Sequence, residues 1–188
     1  MRKVSRTERF EKFEDTIVIV SDTTSLYKEV VKKAIQIRVI CMPNMMIEAD
    51  YVEAEEPVQL ETRFVLDNED NQLNTNIYNK QKLVFRKGDE ALKLFNVQNT
   101  VEGKATDTEL NVEAENIYSW IDEETGLKLC RVHTFMMDEE PNIKYWHLKE
   151  EGDYLRLEAP DHNDVLDFKF TESEFVLRRN GKTKCWTV

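Results

Sequence analysis

The stretch Phe175-Val176-Leu177-Arg178-Arg179-Asn180-Gly181-Lys182-Thr183-Lys184-Cys185-Trp186-Thr187-Val188 decides the reading of this chain. Asn-Gly between two alternating runs is the strongest short hairpin signal, because both residues tolerate the left-handed backbone that a two-residue turn requires. The turn sets Arg179 opposite Lys182, Leu177 opposite Lys184 and Phe175 opposite Trp186. Working back from it, Val165 to Phe170 and Phe175 to Arg179 are joined at Thr171 to Glu174, with Phe170 opposite Phe175 and Phe168 opposite Leu177. Tyr154 to Ala159 precedes them. Asn142 to Lys149 comes before that, with the Glu150 to Asp153 turn setting Leu148 opposite Leu155 and Trp146 opposite Leu157, and Leu127 to Met137 opens the series. Strand side chains alternate between faces, so this register collects Trp146, Leu148, Leu155, Leu157, Leu166, Phe168, Phe170, Phe175, Leu177 and Trp186 on one apolar face. Asp167, Lys169 and Arg178 fall on the other.

The middle of the chain alternates less regularly. Val58 to Leu66, Asn76 to Arg86, Ala91 to Val101 and Glu109 to Tyr118 read as strands, giving nine to eleven in all. The first 43 residues read differently. Ser5 and Glu8 have capping-box spacing ahead of Phe10 and Phe13, which predicts a short helical appendage. Leu26, Val30, Ala34 and Ile37 fall at helical spacing after Ser21-Asp22, which predicts one long helix, with the β-branched run Thr16 to Val20 as a short strand between the two. From Ile35 to Cys41 the pattern is ambiguous between the helix's end and another strand. The expected architecture is therefore mainly β: an N-terminal helical segment, residues 1–43, packed on an antiparallel meander, residues 44–188. Closure into an up-and-down barrel would remove the exposed sheet edges.

Across residues 44–188 this layout resembles the calycins, the lipocalins and fatty-acid-binding proteins, in strand order and count. The resemblance implies an interior that takes a small apolar ligand, lined here by Trp146, Phe168, Phe170 and Trp186. The Gly-x-Trp of lipocalins is absent, as is the Arg-x-Tyr of fatty-acid-binding proteins, since Arg178 is followed by Arg179 and Asn180.

Composition narrows the function classes. The 188 residues carry 26 basic and 37 acidic side chains, a net charge of −11. Residues 1–38 hold nine basic and six acidic groups, so the remainder is strongly acidic and would repel a phosphate backbone. Arg178, Arg179, Lys182 and Lys184 form a basic exception, read as solvated charge or an anion contact. Five scattered glycines give neither a dinucleotide fingerprint nor a P-loop. Cys41, Cys130 and Cys185 are too far apart for a CxxC site, which fits a reducing, cytoplasmic setting, and no run is apolar enough for a signal peptide or a membrane span.

Three constellations bear on chemistry. Val52-Glu53-Ala54-Glu55 recurs as Val112-Glu113-Ala114-Glu115. Glu-x-Glu on a strand puts both carboxylates on one face, and the pair resembles the acidic motifs of triphosphate tunnel enzymes, which implies a divalent metal and a polyphosphate. Arg63, Arg86, Arg131 and Arg156 are scattered singly, however, and solvated glutamates are the alternative. His133 and His147 would face one another if the loop after Met137 has five residues, but a third ligand is not evident. Met42, Met45 and Met46 surround Pro43 as core filling or a pliable surface. No serine or cysteine sits in a nucleophile elbow. The expectation is a non-enzymatic binding protein without a cofactor or metal, either carrying an apolar ligand or engaging a basic protein partner. The alternative is a metal-dependent phosphohydrolase.

Overall fold

A computed structural model describes residues 6–27, 29–41, 44–139, 147–158 and 165–188. The strands are β1 (Arg6–Phe13), β2 (Thr16–Asp22), β3 (Val31–Cys41), β4 (Met45–Val58), β5 (Glu61–Val65), β6 (Asn74–Asn79), β7 (Lys82–Lys87), β8 (Glu90–Val101) and β9 (Lys104–Ala105). They continue with β10 (Thr108–Ala114), β11 (Ile117–Asp122), β12 (Gly126–Glu139), β13 (His147–Glu151), β14 (Tyr154–Glu158), β15 (Val165–Phe170), β16 (Glu174–Arg179) and β17 (Lys182–Thr187). A nine-stranded sheet runs β1-β2-β3-β4-β12-β8-β7-β6, with β9 beside β8; β10-β11-β5 form a second sheet and β13 to β17 a third. All pairings are antiparallel.

The expected barrel is not formed. The sheets stay open and stack as layers, and the large sheet ends in edges at β1 and β6 among the described residues. The long N-terminal helix and the helical appendage are also absent: the described residues hold only a 3-10 turn, Thr24–Leu26. The helical stripe breaks down because Val30 is exposed, whereas Ile35, Ile37, Val39 and Cys41 alternate and are all buried. That run is dense in β-branched residues, which lose rotamer freedom in a helix, and β3 gains a hydrogen-bonded neighbour on each side. In β1, Phe10 and Phe13 lie on opposite faces. Phe10 is exposed, while Phe13 meets Trp186 edge-on at 6.0 Å. The strand expected at Thr16 to Val20 is present as β2. Because β3 pairs with β4, the first strands belong to the same sheet as those that follow.

The C-terminal meander follows its expected register at β15 to β17, including Phe168 with Leu177, Phe170 with Phe175, and Phe175 with Trp186. Asn180 and Gly181 take φ values of 51° and 73°, the left-handed pair of a tight hairpin. The preceding hairpin is tighter than expected. Gly152 at φ 60° allows a two-residue turn, so Leu148 pairs with Leu157 and Leu155 with Glu150. The strand read at Leu127 to Met137 is β12, which pairs with β4 and β8 in the large sheet rather than with the strand that follows it. Residues 140–146, including Trp146, lie outside the described residues.

Two cores result. Val18, Ile37, Val39, Ile47, Ala49 and Val132 of the large sheet pack with Leu157, Phe168, Phe175, Leu177 and Trp186 of the five-stranded sheet. On the other side, Leu83, Phe85 and Leu94 pack with Tyr118 and Trp120 of the three-stranded sheet. No helix among the described residues is long and apolar enough to cross a membrane.

Candidate functional site: a polar groove beside strand β5

Strands β3, β4 and β12 each send alternate residues to opposite sides. Apolar residues go to the larger core, and polar ones face the layer of the three-stranded sheet. The outcome is a polar floor: Gln36 and Arg38 from β3, Glu48 and Asp50 from β4, with Arg131 and His133 from β12 in register beside Asp50 and Glu48. The three-stranded sheet covers only part of this face. Its edge strand β5 borders the uncovered part and leaves beside it a groove of about 730 Å³ lined by Gln36, Arg38, Glu48, Asp50, Glu61 and Arg63, with Tyr27 and Val30 at its rim. A second stretch of about 490 Å³ shares Arg38, Glu48, Thr62 and Arg63 and extends to Val65, Leu92 and Phe135, so the depression continues along β5.

Arg131 holds the two layers together. It is fully buried and ion-paired with Asp122; Nη1 donates to the Trp120 carbonyl at 2.6 Å and the Thr62 hydroxyl at 3.0 Å, and Nη2 donates to the Leu60 carbonyl at 3.0 Å. His133 is fully buried too, stacked on Trp120 at 5.3 Å with Phe64 edge-on at 5.1 Å, and neither ring nitrogen has a hydrogen-bond partner. Burial, with the Arg131 charge nearby, holds its pKa well below the usual histidine value, so the ring is neutral.

On the groove floor Arg38 Nε donates to Glu48 at 2.6 Å, and the Gln36 amide donates to Asp50 at 2.9 Å. Burial, and then the Glu48 charge, push the Asp50 carboxyl up to about 7. Arg63 is tied to Glu113 at 2.6 Å. Neither Asp50 nor Glu61 has an ion-pair partner among the described residues.

Most candidates read from the sequence lie elsewhere. Phe168, Phe170 and Trp186 are buried between sheets, with ring centroids 5.9 to 6.3 Å from Phe175. The two Glu-x-Glu motifs are not brought together: Glu53 and Glu55 are on β4 of the large sheet, Glu113 is on β10 of the small one, and Glu115 follows it. Among the described residues, no three histidine, cysteine or acidic side chains are grouped for a metal. His133 and His147 sit on strands of different sheets and are not paired. Met45 is buried, Met46 borders the groove, and Met42 lies outside the described residues.

Three of the four basic side chains of the C-terminal hairpin are tied to the first hairpin, and the fourth, Arg178, is exposed over the Tyr154 ring at 3.7 Å. Arg179 is buried and donates to Asp15 through Nε at 2.7 Å and Nη2 at 2.6 Å; Lys182 pairs with Glu14, Lys184 pairs with Glu11, and the Trp186 indole donates to Glu11.

The groove residues belong to no repeated motif, and so stand outside the constellations read from the sequence. A usable signal was present in Gln36-x-Arg38 and Glu48-x-Asp50, where paired polar residues alternate with buried Ile35, Ile37, Ile47, Ala49 and Tyr51.

No protein-family model matches the chain, and no curated protein matches it. Solved structures do. The chain is similar to heparan sulfate lyase HepC from Pedobacter heparinus, with a TM-score of 0.60, 12% identity, and 98% of this chain covering 28% of that one. A heparinase III gene product gives 0.59 and 12%, with the same coverage. A further heparinase III gives 0.58 and 9%, over 98% of this chain and 27% of that one. The chain therefore spans little more than a quarter of these lyases, and the likeness is one of fold.

Proposed function

We propose that the protein works by binding rather than by catalysis, as an acidic interaction module that takes a basic polypeptide partner in the groove beside β5. The observation that carries this reading is that Asp50 and Glu61 line the groove without a counter-ion in a chain of net charge −11, with Asp50 poised near pH 7 to release its proton to an arriving cation. A bound cation would complete them. Opposed fields of this kind also speed encounter and exclude partners of the wrong sign.

The mutual packing of Phe168, Phe170, Phe175 and Trp186 favours this form of binding over an apolar carrier, which would need space among those rings. One of the similar structures is a heparan sulfate lyase, but a sulfated polyanion would meet the same negative field unfavourably, so it is not the ligand assigned here. A cytoplasmic setting belongs to the same proposal: Cys41 and Cys130 are buried and no disulfide forms.

Calorimetric titration with poly-lysine across a salt series provides the test. Expected are saturable binding that weakens as salt screens the charges, and thermal melts unmoved by fatty acids. A fatty acid that raises the melting temperature of a protein indifferent to poly-lysine would return the carrier. Triphosphate hydrolysis with Mg or Mn that is lost in both Glu53→Gln and Glu113→Gln would instead make it an enzyme.

A further inference from the structure

Strand β5 is an edge. Among the described residues it pairs with β11 alone, and the parity of that pairing can be read from its ends. Leu66 N donates to the Asn116 carbonyl, and Asp122 N donates to the Leu60 carbonyl. Antiparallel pairs alternate between hydrogen-bonded and non-bonded positions, so Leu60, Thr62, Phe64 and Leu66 direct their backbone groups to β11. The amides and carbonyls of Glu61, Arg63 and Val65 therefore point the other way. All three residues line the groove. An open ladder of donors and acceptors above a polar floor is a template for one more strand.

Resting on the interaction-module reading, we infer that an extended, lysine- or arginine-containing segment of a partner protein adds to the three-stranded sheet as a fourth strand along β5, its floor-facing basic side chains directed at Asp50. Charge selects this occupant. Arg38 is engaged by Glu48 and Arg63 by Glu113, which leaves Glu61, and Asp50 in its ionised form, as the uncompensated charge of the groove. A second copy of this chain fits poorly, because antiparallel β5 pairing centred on Arg63 would set Arg63 against Arg63 and bring two chains of −11 together. Side chains of an added strand alternate in direction, so every second residue faces the floor, while its backbone bonds to Glu61, Arg63 and Val65 are independent of sequence.

The experiment uses a short fluorescent peptide alternating lysine with threonine and valine, and a matched peptide N-methylated at every second residue, which keeps the charge but cannot extend a sheet. Anisotropy should show binding of the first, weakened at least about tenfold by N-methylation and by about tenfold in Asp50→Asn, whose amide preserves the shape of the floor. Hydrogen exchange should slow at the amides of Glu61, Arg63 and Val65 when the unmethylated peptide binds. Equal affinity for both peptides, with exchange unchanged at β5, would overturn strand addition and leave the acidic-module reading standing. Absence of binding to any basic probe would overturn both. Peptide protection at β1 or β6 instead of β5 would place addition on the wrong edge and also refute the inference.

Discussion

The two faces of the nine-stranded sheet are made from alternate residues of the same strands, yet they follow different rules. On β4, Met45, Ile47, Ala49 and Tyr51 enter an apolar core against the five-stranded sheet, while Glu48 and Asp50 enter the groove. On β12, Cys130 and Val132 face the apolar side; Arg131 and His133 are buried on the other. The first face gains stability from area removed from water, and the second spends some of it holding charge and an unpartnered imidazole out of solvent. A face built only for stability would not be composed this way, which is why the second is where function is sought.

Removing a ring from the apolar face should have the largest effect. Phe168→Ala is expected to cost about 4 kcal/mol in urea unfolding, since Phe168 is fully buried between layers. A loss below about 1 kcal/mol, typical of surface sites, would break the comparison at its dry side.

On the polar face, Arg131→Met should cost about 3 kcal/mol because it strands Asp122 without a partner. The double variant Arg131→Met/Asp122→Leu should recover most of that loss, as buried ion pairs exchanged for apolar residues often do. Failure to recover would mean that the four donor contacts of Arg131, rather than its charge, join the layers.

Acidity sharpens the contrast further. The Asp50 carboxyl is raised to about 7 in the folded protein, so the folded state holds a proton there that the unfolded chain has released above about pH 4. Stability from this group is therefore full at low pH and is lost as pH rises toward and through 7. Relative to wild type, Asp50→Asn should gain on the order of 2 kcal/mol at pH 8, about half of what the full shift would give because the carboxyl is partly open to water. His133 acts in the opposite sense. Its folded pKa lies well below 6.5, so it destabilises the fold as pH falls below 6.5, by up to about 1.4 kcal/mol per pH unit until the folded ring itself titrates. Melts from pH 4 to 8 should show His133→Phe gaining on wild type toward pH 4 and Asp50→Asn gaining on it toward pH 8, because the two groups oppose one another between. Identical profiles for all three proteins would refute both assignments.

How far the sequence disclosed this arrangement depended on whether local chemistry or distant pairing decided each element. Asn180-Gly181 dictates its own turn, and the register from Phe168 to Trp186 follows from it. At Gly152 the composition of the turn does not give its length: Glu150 to Asp153 reads as four turn residues, and a glycine at positive φ closes it with two. Residues 31–41 were harder. Ala34 and Ile37 fit a helical stripe and Ile35, Ile37 and Val39 a strand, and the choice rests on β2 and β4, which no local window contains. The middle strands were underdivided: the run Asn76 to Arg86 hides a hairpin between β6 and β7, and Glu109 to Tyr118 spans the turn between β10 and β11. The groove was the least legible part. Its residues come from β3, β4 and β5, and it exists only because a small sheet from the middle of the chain lies over part of a larger one.

The ion pair and the hydrogen bond that bind the final hairpin to the first one also bear on how the molecule assembles. Arg179 with Asp15 and Trp186 with Glu11 join residues 164 and 175 positions apart. Ribosomal synthesis delivers β1 and β2 long before their partners in the final hairpin exist, so the apolar side of the first hairpin must wait, uncovered, until residues 164 positions further on have emerged. Closing so distant a contact adds entropy cost only slowly with length, but it delays the step, and slow long-range pairing is what exposes unfinished sheets to aggregation. The growing chain is accordingly expected to be most vulnerable just before β16 and β17 arrive, with β1 and β2 as the surface a holding chaperone would shield.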